Sequence, residues 1–234
     1  EFNIPTVGIR HQSGEMVPET IDLLKKSTVI GAPSKQSQED IKKAGFGKAY
    51  VVGPSVPVIE FFNPKLEEVK TVNNSLRKVS DLFDFSKKIV LFLPHRLVPE
   101  KGHADVLQAL INLKQRGIKN VSLIISGPAD DGRSPEFINT LKTTIKSNGL
   151  TYRVISEDKT TDNLRLEDRG NSQDEYVDVI FIIGGLNREN LRKMYTSVDI
   201  MTLAGYWQEG LSQSLIEAQA MGITVVASDV GGNK

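Results

Sequence analysis

Two loops carry side chains that could hold an anionic ligand. In Pro94-His95-Arg96-Leu97-Val98-Pro99-Glu100-Lys101-Gly102, the cations Arg96 and Lys101 stand five residues apart. They can converge on one anion such as a diphosphate, because a guanidinium offers a planar fork to phosphate oxygens and an ammonium a compact charge. A solvated loop with unrelated charges explains this stretch equally well when it is taken alone. The second stretch runs from Gly205 to Glu217 and contains Glu209-Gly210-Leu211-Ser212. Gly210 permits close backbone approach, and the free amides near Leu211, Ser212 and Gln213 would form a helix N-terminus suited to a phosphate. Glu209 and Glu217 are eight residues apart, so one carboxylate can reach a sugar while the other reaches a ribose. Glu217 lies in a mostly apolar helical stretch, where a carboxylate is costly unless something binds it. A salt-bridged or exposed helix position is the competing account of Glu217. Asp130-Asp131-Gly132 reads as a turn and not as a metal site, and no metal is assigned. Trp207 has a ring that could stack on a sugar or base, but a lone tryptophan more often serves packing or an interface, and Tyr206 is no better placed.

The elements that must position these loops follow from the apolar runs. Strands are expected at Ile4 to Ile9, Thr28 to Gly31, Ala49 to Val52, Ile89 to Leu93, Val121 to Ser126, Val177 to Ile183, Ile200 to Leu203 and Thr224 to Ala227. Most are apolar throughout, the mark of strands buried on both faces of a parallel sheet. Helical spacing appears over 103–116, ending at Gly117, and over 134–148, with Ser134 as cap, Pro135 at the first helical position and Gly149 as the stop. Asn190 to Ser197 and Ser212 to Met221 complete the set. The alternation predicts a doubly wound α/β fold, in which ligands bind beyond the carboxyl ends of the strands.

Two segments break this rhythm. Gly53 to Lys87 is punctuated by proline and reads as a boundary, giving segments 1–56, 57–87 and 88–234. Glu157 to Glu175 carries seven acidic and three basic residues and reads as an exposed, mobile insertion. The chain has no cysteine, which excludes disulfides, thiolate metal sites and a cysteine nucleophile. Its 29 basic residues balance 29 acidic ones without a basic run, which argues against nucleic acid as partner. No apolar stretch approaches a membrane span and no leader pattern opens the chain, so a cytoplasmic location is expected.

The motifs together resemble a family. His95-Arg96-Leu97-Val98-Pro99-Glu100-Lys101-Gly102 is similar to the G-R-L-x-x-x-K-G loop of retaining nucleotide-sugar glycosyltransferases with the GT-B fold, the glycosyl transferases group 1 family. Glu209-Gly210 through Glu217-Ala218-Gln219-Ala220-Met221-Gly222 resembles their E-G-x-x-x-x-x-x-E-A-x-A-x-G, and Val225 to Gly232 their V-V-A-S-D-V-G-G. Ala32-Pro33-Ser34 resembles a strand end before a helix in the family's N-terminal lobe, and Ile4 to His11 an earlier strand there.

The resemblance implies a Rossmann-like donor-binding domain at 88–234 and, at 1–56, part of a second Rossmann-like lobe on the acceptor side. The chain is thereby expected to be a piece of a longer enzyme, weak or inactive in transfer by itself. Arg96 and Lys101 would bind the donor diphosphate, Glu217 the ribose and Glu209 the transferred sugar. The amides of Gly210, Leu211 and Ser212 would meet the distal phosphate, and Gly184, Gly185 and Leu186 the base. His11 would lie near the donor sugar. The donor would be a UDP- or GDP-linked sugar and the acceptor a sugar or lipid-linked hydroxyl, with no metal or other cofactor. Peripheral membrane contact would belong to the absent part of the N-terminal lobe. Departures are His95 in place of glycine and Ala204-Gly205 in place of P-S. A GT-B phosphorylase, a nucleotide-sugar epimerase and a non-catalytic nucleotide-sugar-binding domain are the alternatives.

Overall fold

A computed structural model describes residues 7–9, 18–25, 29–32, 34–47, 49–51, 62–63, 88–158, 160–161, 163–171, 177–206 and 211–233. They divide into two compact units, one drawn from 1–56, 206–216 and 228–234, the other from 57–205 and 217–227.

In the first unit, β1 (Val7–Ile9), β2 (Val29–Ala32) and β3 (Ala49–Val51) form a parallel sheet in that order. Helix α1 (Pro18–Lys25) precedes β2, and α2 (Lys35–Lys43) connects β2 to β3. Parallel neighbours need such a crossover. Ser34 caps α2, its hydroxyl accepting from the Ser37 amide at 3.1 Å. Leu24, Ile30, Ala32, Ile41 and Ala49 form the core of this unit.

The second unit holds β4 (Ile89–Pro94), β5 (Val121–Gly127), β6 (Tyr152–Glu157), β7 (Leu164–Asp168), β8 (Val179–Ile183), β9 (Ile200–Leu203) and β10 (Thr224–Ala227). Their sheet order is β10-β9-β4-β5-β8-β6-β7, parallel except for the antiparallel pair β6–β7. The helices are α3 (His103–Gln115), α4 (Ser134–Ser147), α5 (Arg188–Ser197) and α6 (Gln213–Ala220), the last beginning in residues grouped with the first unit. All seven residues of β5 are buried, as expected of a central strand covered on both faces. Its Leu123 and Ile125 pack with Leu107 and Leu110 of α3 and Leu141 of α4 in one apolar cluster.

The α/β class and the eight expected strands hold, within a residue or two at their ends where they are described. Two strands escape that reading. Tyr152–Glu157 mixes Tyr152, Val154 and Ile155 with Arg153, Ser156 and Glu157, so it lacks the unbroken apolar run that marks the central strands. The segment 157–175, read as a mobile insertion, instead supplies the end of β6 and all of β7, joined in an antiparallel ladder from Val154 opposite Asp168 to Glu157 opposite Leu164. Helix α1 was also unmarked, although Pro18 with Ile21 and Leu24 has the start and spacing of a short helix. The cap expected at Ser134 is corrected as well. Ser134 is already helical, and its buried hydroxyl has no hydrogen-bond partner among the described residues. The turn before it is held by Asp131, whose carboxylate accepts the Arg133 amide at 2.9 Å and whose carbonyl accepts the Ser134 amide at 2.9 Å.

Candidate functional site

The Arg96 loop is fixed by what it buries. Leu97 and Val98 are almost fully enclosed, and the Leu97 amide donates to the Pro128 carbonyl at 2.9 Å. With those two turned inward, Arg96 is left exposed beyond the end of β4. Pro99–Lys101 then forms a single 3-10 turn, and Gly102, at φ 74°, delivers the chain into α3. A Cβ on Gly102 would fall 2.2 Å from the Ala204 carbonyl oxygen, so this loop runs against the end of β9 and only glycine fits. On its other side, a Cβ on Gly127 would fall 2.0 Å from the His95 carbonyl oxygen. The Gly127 carbonyl accepts the Gly184 amide at 3.1 Å. The carboxyl ends of β9, β4, β5 and β8 are thus knitted by backbone contacts into one rim. The departure at Ala204-Gly205 has a steric reading there. A Cβ at residue 205 would press at 3.3 Å on the Glu100 carbonyl oxygen.

Lys101 is buried, and its proton affinity is lowered by burial and by the neighbouring Arg96, with Glu100 pulling the other way. Glu100 is itself gripped by Arg133, whose guanidinium lies 2.9 and 3.3 Å from its two oxygens and 2.8 Å from Asp131. Arg133 is therefore committed to carboxylates, while Arg96 and Lys101 bring further positive charge to the rim. The two histidines add none at neutral pH. Burial, Lys101 and His103 lower His95 to about 3. Burial lowers His103 to about 4, outweighing the nearby carbonyls of His95 and Val98. His103 is fully enclosed, packs edge-on against Phe137 at 5.8 Å and, among the described residues, makes no well-formed hydrogen bond through either ring nitrogen.

Gly184 and Gly185, both at positive φ, and half-buried Leu186 lead from β8 into α5. Asn187 caps that helix by accepting from the Asn190 amide at 2.8 Å. Glu157 braces the same turn, accepting from the Asn187 amide at 2.8 Å and from Asn190 Nδ2 at 2.5 Å. Sequence patterning had placed Glu157 in the insertion and did not mark this role.

Glu217, on α6, is buried at 7% exposure, which rules out the exposed-helix account. Its Oε2 accepts the Tyr195 hydroxyl at 3.0 Å. Leu211 is half-buried and Ser212 buried, the Ser212 and Ser214 hydroxyls lying 2.9 Å apart. These two residues belong to the first unit, Arg96, Lys101 and Glu217 to the second. Glu209, Gly210 and His11 lie outside the described residues. Among the described residues no cluster of three or more His, Asp or Glu could hold a metal ion, and no helix is long and apolar enough to cross a membrane.

A parallel α/β sheet with a cationic rim at its carboxyl edge defines a class of proteins that seat ligands at that edge. The sequence model of the family "Glycosyl transferases group 1" matches residues 77–234, and the chain belongs to this family. No curated protein sequence matches it. Its fold is that of several solved structures. HepE of Anabaena, solved with UDP and glucose, is 19% identical at a TM-score of 0.68 over 97% of this chain and 54% of that one. A glycosyltransferase from Rickettsia africae is 19% identical at 0.67 over 97% and 52%. A UDP-forming α,α-trehalose-phosphate synthase from Burkholderia xenovorans is 14% identical at 0.65 over 98% and 55%. The chain spans about half the length of these structures.

Proposed function

We propose that this chain binds the nucleotide-sugar donor of a retaining glycosyltransferase, which moves a hexosyl group from a nucleoside diphosphate to an acceptor hydroxyl. The observation that carries the reading is the Arg96–Lys101 pair, two adjacent cations of which the lysine is buried and its proton affinity depressed. A diphosphate in contact with them would relieve both their mutual repulsion and the desolvation of Lys101. As the sugar leaves, charge grows on that diphosphate, and the same two cations stabilise it electrostatically with no metal required. Glu217 accepts from the ribose hydroxyls, and the turn at Gly184, Gly185 and Leu186 meets the base. Glu209 faces the transferred sugar, and the amides of Gly210, Leu211 and Ser212 the distal phosphate. Attack from the leaving-group face retains configuration and needs no protein nucleophile. HepE, bound to UDP and to UDP-glucose in its structures, supports UDP as the first donor nucleotide to try.

Calorimetric titration with UDP, GDP and ADP and their sugars tests the reading. One of these should bind, and Arg96→Ala with Lys101→Ala should weaken it by at least about a hundredfold, since each charge-assisted contact is worth about 1.5–3 kcal/mol. Failure of all three nucleotides to bind, or binding indifferent to both substitutions, would overturn it. A non-catalytic donor-binding domain is separated by assaying sugar transfer and donor hydrolysis with the whole protein.

A further inference from the structure

Tyr195 is built into the core in a way that packing alone does not explain. The side chain is 1% exposed, and its ring is clamped edge-on between Phe62, at 6.0 Å and 71°, and Phe92, at 5.7 Å and 79°. A phenylalanine would fill that aromatic clamp as well as a tyrosine. What the tyrosine adds is one hydroxyl, aimed at Glu217 Oε2 at 3.0 Å from α5 across to α6. Burying a phenol and a carboxylate is unfavourable unless both are hydrogen-bonded, and this bond serves both groups. Burial, the charge of Glu217 and the hydrogen bond together push the Tyr195 phenol far above its ordinary range. The phenol therefore keeps its proton at any working pH and can only donate to the carboxylate.

We propose that Tyr195 is a positioning residue for nucleoside recognition: its hydroxyl fixes the plane of the Glu217 carboxylate, so that Glu217 meets the ribose hydroxyls of the nucleotide in one orientation. This rests on the reading of Glu217 as the ribose-binding group. A glutamate has three rotatable bonds before its oxygens, and a hydrogen bond from a rigid neighbour removes freedom that ligand binding would otherwise have to freeze. The aromatic clamp makes Tyr195 a rigid neighbour, since neither of its own torsions can change without opening the core between Phe62 and Phe92.

The test compares each nucleoside diphosphate with its 2′-deoxy and 3′-deoxy forms, using whichever of UDP, GDP and ADP the 234-residue chain binds most tightly. Wild type should prefer the ribose form by at least tenfold. Tyr195→Phe, which keeps the clamp, should shrink that preference about tenfold by weakening the ribose form, while the deoxy forms bind within twofold of wild type. Glu217→Gln should shrink the preference as well, and the double variant should be no worse than the worse single one. An equal loss for ribose and deoxy forms in Tyr195→Phe would mark Tyr195 as packing only and overturn the proposal. A wild type that does not distinguish the two forms, or a Glu217→Gln variant that still does, would instead remove the ribose role of Glu217, and the proposal with it. Should Tyr195→Phe fold poorly, tyrosine labelled with 13C at Cζ gives an independent readout in the unaltered chain. The Tyr195 signal should shift on adding the ribose nucleotide and stay in place with the deoxy form; equal shifts would overturn the proposal.

Discussion

Acidification is expected to weaken this fold through one buried ring. His103 has no solvent exposure and a proton affinity lowered to about 4, against 6.5 for a free histidine. In the unfolded chain the ring takes a proton as the pH falls through 6.5, while in the fold it stays neutral until about pH 4. The unfolded state therefore binds more protons across that window, and stability must rise with pH there. Stability is complete above 6.5 and declines as the pH falls toward 4. One unit of displaced titration is worth about 1.4 kcal/mol, so moving from about pH 7.5 to about pH 5 costs roughly 2 kcal/mol for His103. His95, lowered to about 3, acts in the same direction over the same range. The carboxylates with lowered proton affinity add little, because their unfolded forms stay ionised until the pH nears their ordinary values, 3.8 for aspartate and 4.5 for glutamate. Urea denaturation at both pH values, with the m-value held to a common fit, gives the difference directly. His103→Gln should remove about half of the wild-type loss, whatever it does to stability at neutral pH. A wild-type stability that is flat over this range, or a slope that His103→Gln leaves intact, would refute the reasoning.

Two further outcomes follow from backbone contact and from a half-buried ion pair. Gly127→Ala should cost about 1–3 kcal/mol in denaturant melts and weaken nucleotide binding by calorimetry, because its Cβ would lie 2.0 Å from the His95 carbonyl and push the Arg96 loop outward. Asp178→Ala should cost about 1–3 kcal/mol by the same melts, since Asp178 accepts from Lys114 at 2.6 Å and from the Thr151 amide and hydroxyl at 3.0 Å, and its loss leaves the Thr151 amide without that acceptor and Lys114 with the Lys119 carbonyl at 2.7 Å.

Much of the second unit is legible in its sequence because central parallel strands announce themselves. Ile89 to Leu93 and Val121 to Ser126 are apolar on both faces, and only burial on both faces suits such runs. Arg96 and Lys101 were equally open to inspection, since the loop that carries them must lie at the carboxyl edge once β4 is assigned. What could not be read were the long-range backbone fits. Nothing local to Gly127 says that the chain 32 residues earlier, at His95, will press against it. The pairing of Tyr195 with Glu217 joins two helices 22 residues apart and has no periodicity to betray it. The segment after Glu157 misled for a different reason. Its charge suggested solvent, whereas an edge strand can carry charge on most positions and still pair its backbone, as Leu164 and Leu166, half-buried among exposed neighbours, do here.

That edge strand has a bearing on how the protein behaves in concentrated solution. β7 is the last strand of its sheet, and it turns Arg165, Glu167 and Asp168 outward. Behind it lies β6, whose Tyr152, Val154 and Ile155 are buried and whose backbone would be an open template for another molecule were β7 not paired to it. The hairpin in this sense covers the β6 edge and ends the sheet in a short strand with charged side chains on most of its positions. A shortened chain in which β6 is the outermost strand would keep the Arg96 rim and leave the backbone edge of β6 open to pairing.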